Sequence, residues 1–101
     1  MPIVLIMEYR TAGPFGADAA DADRVLASDI VGEAGLQWKL WIEDEAAERS
    51  GGVYLFDTRA DAERYAELQL SRLASAGIGE VEVKYFDVNE PLSLITRGIR
   101  L

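Results

Sequence analysis

An α+β domain, with a four-stranded antiparallel sheet and two helices on one of its faces, is the fold class that this 101-residue sequence predicts. Three observations lead there. Four short segments alternate or run apolar as strands do, and two longer ones repeat apolar residues at helical spacing. The six follow one another as strand–helix–strand–strand–helix–strand, with glycine, proline or polar breaks between them. That order is the split βαβ, or ferredoxin-like, pattern. Half of the residues are hydrophobic, enough for one domain spanning residues 1–101 with a single modest core.

The first strand is expected over residues 2–9, apolar on both faces and ending at Glu8-Tyr9. Thr11-Ala12-Gly13-Pro14-Phe15-Gly16 reads as a loop. A helix is predicted from about Asp18 to Glu33, with Asp18 as N-cap and Asp21 as its N3 partner. Its stripe is Ala22, Val25, Leu26 and Ile30, and Gly32 and Gly35 bracket its exit. An aromatic hairpin follows, Gly35–Glu43 and Gly51–Asp57, with Glu45–Ser50 as its loop. Side chains alternate faces along a strand. Trp38, Leu40 and Ile42 therefore oppose Gln37, Lys39 and Trp41, and Tyr54 and Phe56 oppose Val53 and Leu55. Asp57 or Thr58 caps a second helix that runs to about Ala76, where Ala76-Gly77-Ile78-Gly79 stops it. Glu80–Val88 alternates as the fourth strand, Asn89-Glu90-Pro91 turns the chain, and a short tail ends at Leu101.

Composition removes many kinds of function. Eighteen acids against ten bases give a net charge of −8 with no basic cluster. Nucleic acid and anionic membrane are therefore not expected partners, because phosphate recognition needs concentrated Lys and Arg. There is no cysteine and no histidine. This excludes disulfides, thiol nucleophiles, His general bases, Ser-His-Asp triads and His- or Cys-ligated metals. No acidic run has calcium-loop spacing, so no metal or cofactor is expected. The apolar start Met1–Met7 is too short to span a membrane and lacks signal-peptide flanks, and a cytoplasmic location is the default.

The second helix carries a polar anomaly. Ala62, Tyr65, Ala66, Gln69, Leu73 and Ala76 share one face, with a phenol and an amide amid small apolar residues. Placed against a sheet face bearing Trp38, Tyr54 and Phe56, this stripe would wall an aromatic cavity with a few polar groups, as ligand pockets commonly are. Tyr65 packed in the core with its hydroxyl bonded to backbone is the structural alternative. On this reading Trp41 and Lys39 face away from the helices. Trp41 then suits an interface, and Lys39 snorkels over it. Asp29, at the edge of the first helix's stripe, is expected in solvent. The strands are apolar on both sides, with Ile3, Leu5 and Met7 against Val4 and Ile6, and Trp38 against Trp41. Helices cover only one face, so the other predicts a homodimer formed by sheet-to-sheet packing.

Four segments carry a family resemblance: Gly13-Pro14-Phe15-Gly16, Trp38-Lys39-Leu40-Trp41, Gly51–Phe56 and Phe86–Ser93. Together, in order and over nearly the whole chain, they resemble the YdhR-like putative monooxygenases of the dimeric α/β-barrel superfamily. The resemblance implies a ferredoxin-like protomer packed sheet to sheet with a second copy, and an oxygenase that uses neither metal nor flavin. In better-understood relatives the third strand and following helix offer a Glu, a Trp and a His around the pocket. Those positions fall here on Tyr54, Phe56 and Tyr65, so the pocket's location carries over and a His-based mechanism does not. The functional expectation is cofactor-independent oxygenation of a small phenol- or quinol-like substrate. Tyr65 is the candidate catalytic residue, and Trp38, Tyr54, Phe56 and Gln69 bind the substrate. A noncatalytic aromatic-binding dimer is the alternative, and a purely structural dimer the third possibility.

Overall fold

The computed structural model describes residues 1–97. Its elements are β1 (Ile3–Arg10), α1 (Gly16–Ile30), β2 (Leu36–Asp44), β3 (Arg49–Phe56), α2 (Arg59–Ser75), β4 (Val81–Asp87) and α3 (Glu90–Ile95). The four strands form one sheet in the order β2-β3-β1-β4, every neighbouring pair antiparallel. This is the ferredoxin-like α+β arrangement that the sequence predicts. After residue 88 the turn at Asn89 leads, as Asn89-Glu90-Pro91-Leu92-Ser93 predicts, into the short helix α3, where the Asn89 side chain accepts from the Leu92 amide at 3.2 Å. The end of the tail, 98–101, lies outside the described residues.

Directly opposed residues in antiparallel strands share a face. Ile3 stands opposite Phe56, and Leu5 stands between Tyr54 and Tyr85. These residues and Met7 form the inner face, on which α2 lays Ala62, Tyr65, Ala66, Gln69 and Leu73. That is the stripe expected from helical periodicity. Burying each large aliphatic or aromatic side chain contributes roughly 1.5–3 kcal/mol, so this layer dominates the fold's stability. Thr58 caps α2: its hydroxyl oxygen accepts from the Asp61 amide at 3.1 Å. The Ile78 amide bonds back to the Leu73 carbonyl after Gly77 turns at φ +84°, which closes the helix.

Two expectations about α1 are corrected. The helix begins at Gly16, not Asp18, and its N-cap Phe15 makes no side-chain cap. A distant carboxylate replaces it: Glu43 of β2 accepts from the Gly16 amide at 2.8 Å. The inward stripe is also rotated. Leu26 and Ile30 join the core, whereas Val25 is 83% exposed. The remaining inward positions of α1 are small, and this sets up the cavity described below.

The face assignment of β2 is corrected as well. Leu36 pairs with Phe56, but Trp38 pairs with Leu55, because a β-bulge at Gln37 places one extra residue in β2. From there on the parity is reversed. Lys39 stands opposite Tyr54 and Trp41 opposite Gly52, on the helix side. Trp38 stands on the other face, packed with Val4, Leu55 and Val88. Part of that outer face is open to solvent. Leu40 is 58% exposed there and Phe86 53%.

Candidate functional site

A cavity of about 680 Å³ lies between α1, α2 and the inner face of β1, β2 and β3. It exists because the residues that should fill it are small. Ala19, Ala20 and Ala27 line it from α1, and Gly52 lines it from the strand floor. A side chain at Gly52 would force its neighbours to shift: its Cβ would lie 2.7 Å from Lys39 Cε and 2.8 Å from Tyr54 Cζ. Gly52 therefore leaves the room in which Lys39 and Tyr54 sit.

The aromatic walls are Tyr9, Trp41 and Tyr54. Behind Tyr54, Phe56 and Tyr65 complete a cluster with ring centroids 4.9–6.2 Å apart. All three are buried, and of them only Tyr54 lines the cavity. The Tyr65 and Tyr54 hydroxyls lie 3.4 Å apart, in hydrogen-bonding contact. Burial raises both phenols above their ordinary pKa, Tyr54 by far the more, so both are neutral donors at physiological pH.

The five residues expected to build the site thus divide. Tyr54 and Gln69 line the cavity. Tyr65 and Phe56 stand one layer behind it, and the expectation that Tyr65 touches it is corrected: Tyr54 stands between. Trp38 lies across the sheet, removed by the bulge, and Trp41 takes the place expected of it.

Sequence reasoning turned Lys39 outward and passed over Arg72, yet both line the cavity. Lys39 Nζ lies 3.3 Å from the centroid of the Trp41 ring and 4.7 Å from that of Tyr54. Burial lowers its pKa to about 7; Asp23 raises it and the Arg72 charge lowers it further. Arg72 donates through Nη2 to Asp29 Oδ2 at 2.7 Å, so Asp29, exposed as the sequence predicts, also pairs with a cavity side chain. Arg72 Nη1 and Gln69 Oε1 are buried with no hydrogen-bond partner among the described residues. The signal for Arg72 was present, since it continues the inward 65–69–72–76 spacing of α2. Among the described residues no three acidic side chains converge as a metal site would require, and no helix is long and apolar enough to cross a membrane.

A ferredoxin-like domain with an aromatic, amine-bearing cavity between helices and sheet is therefore the class that fold and site define. The chain belongs to the family described as putative mono-oxygenase ydhR, whose pattern matches residues 4–99. No curated protein matches it.

Proposed function

We propose that this protein is a cytoplasmic, cofactor-independent monooxygenase that oxidises a small hydroxyarene in the cavity beneath α1 and α2. One observation carries the reading. The chain belongs to a family described as putative mono-oxygenases, and its cavity is lined by aromatic rings and polar side chains, with no cluster of metal-ligating side chains among the described residues. A flat substrate stacks on Trp41 and accepts a hydrogen bond from Tyr54. An ionised hydroxyarene can itself donate an electron to dioxygen. Radical recombination at ring carbon then forms a peroxide, which loses water to leave a quinone. For 1-naphthol the balance is one naphthol and one O2 giving one 1,4-naphthoquinone and one H2O. The absence of cysteine means that folding needs no oxidising compartment, which suits a cytoplasmic setting.

The same reading includes a homodimer joined through the outer faces of the two sheets. Val4, Ile6, Trp38, Leu40, Val53 and Phe86 form an apolar surface there that a soluble monomer would leave against water. The experiment is oxygen uptake by purified, metal-stripped protein with a panel of naphthols and quinols under 18O2. Turnover should place one labelled atom in the quinone and one in water. Binding without oxygen uptake would leave an aromatic-binding dimer, and no thermal stabilisation by any panel member would refute the site.

A further inference from the structure

We propose that Lys39, Arg72 and Gln69 form the recognition end of this cavity and select a dihydroxyarene as its monoanion, one oxygen ionised toward Lys39 and Arg72 and one hydroxyl donating to Gln69. The inference rests on the cavity being the functional site, as proposed above, and specifies what that site takes.

The argument starts from two orphaned atoms. Among the described residues Gln69, 6% exposed, accepts no hydrogen bond at Oε1, and buried Arg72 Nη1 has no partner within hydrogen-bonding distance, although the guanidinium is near enough to the Tyr65 phenol to favour its ionised form. A buried polar atom without a partner is costly, and native structures retain few of them. The two are complementary demands: Gln69 Oε1 needs a donor, and Arg72 Nη1 needs an acceptor. A carbonyl meets only the second, and a hydroxyl ionised toward Lys39 and Arg72 only accepts, so Gln69 Oε1 then needs a second hydroxyl as its donor. A monoionised dihydroxyarene meets both.

Lys39 supplies the third part. Its amine lies over Trp41 with no carboxylate in salt-bridge contact among the described residues; it lines the same cavity as Arg72, whose charge reaches it. The charged and titratable groups around that space are Asp23 and Arg24 from α1, Glu43 from β2, Arg72 from α2, Tyr9 from β1 and Tyr54 from β3. Of these, Asp23 favours the Lys39 ammonium and Arg72 opposes it. With its pKa near 7, Lys39 is substantially a free amine at neutral pH. The ligand O–H bond breaks, its proton passes to the Lys39 amine, and the ammonium formed remains to pair with the oxyanion.

4-Nitrocatechol tests this, because its monoanion is visible by absorbance and it is stable in air. 4-Nitrophenol lacks the second hydroxyl, and nitrobenzene lacks both. Wild-type protein, titrated at a pH where free 4-nitrocatechol is mostly neutral, should bind it as the coloured monoanion. Affinity should fall about tenfold at each step from 4-nitrocatechol to 4-nitrophenol to nitrobenzene. Gln69→Leu should abolish the preference for 4-nitrocatechol over 4-nitrophenol and leave ionisation intact. Lys39→Met should abolish the spectral shift on binding, with thermal melts verifying that both variants fold. Nitrobenzene binding as tightly as 4-nitrocatechol, without ionisation, would overturn the inference while leaving the cavity as an aromatic site. Binding of none of the three would overturn both.

Discussion

Lys39→Met is expected to make the protein more stable near neutral pH, although it removes a charged side chain that touches two aromatic rings. The native pKa of about 7 lies below the ordinary 10.5 because the amine is buried. Between those values the unfolded chain holds a proton that the native state does not. Lys39 therefore costs the native state nothing above pH 10.5, and its cost grows as pH falls toward 7. At about 1.4 kcal/mol per pH unit, the full separation amounts to about 5 kcal/mol below pH 7. The cation–π contact with Trp41 offsets this; a desolvated contact contributes about 2 kcal/mol to the charged form. Methionine retains the packing of the lysine stem and loses both terms. A net gain of about 2–3 kcal/mol at pH 7 is expected, shrinking toward zero by pH 10. Urea denaturation of both proteins at pH 7 and pH 10, at one protein concentration, measures the difference, and other titrating groups cancel between the two. A variant equally or less stable at pH 7, or a gain that does not shrink at high pH, would refute the reasoning. The stability sacrificed at Lys39 is what a functional amine in a cavity would require.

Gly52→Ala places a methyl group 2.7 Å from Lys39 Cε and 2.8 Å from Tyr54 Cζ. It should cost about 1–3 kcal/mol and weaken 1-naphthol binding, measured by calorimetry. Tyr65→Phe removes the hydrogen bond with Tyr54 and should cost about 1 kcal/mol, read by urea denaturation. Its affinity for 1-naphthol should change less than about tenfold, because Tyr65 acts through Tyr54; a larger loss would mean that its hydroxyl reaches the ligand. Leu40→Asp puts a charge on the exposed outer sheet face and should convert a dimer into an 11.1 kDa monomer in sedimentation equilibrium. An unchanged mass would locate any dimer contact elsewhere.

The strand order, the buried stripe of α2 and the location of the cavity were all legible, because each depends on a local period that tertiary contacts reinforce. Ala62, Tyr65, Ala66, Gln69 and Leu73 fall on the inner face as helical pitch dictates. The side of the sheet taken by each tryptophan was not legible. One bulge residue, Gln37, reverses every later side chain of β2, and no glycine or proline marks it. The phase of α1 was hidden by its alanines, which fit either face and left Val25 as a misleading guide. Its start was hidden because Glu43, 27 residues away, caps it in place of a local side chain. Arg72 was not singled out, although its spacing on α2 pointed inward.

The central claim is that ligand enters the space between helices and sheet. Amide and side-chain NMR of the isotope-labelled protein, titrated with 1-naphthol, tests it most directly. The Trp41 indole N–H, the Gln69 side-chain amide and the backbone amides of Lys39, Gly52 and Tyr54 should shift, while the Trp38 indole stays in place. Shifts concentrated on Trp38, Leu40 and Phe86, with Trp41 and Gln69 unmoved, would contradict it.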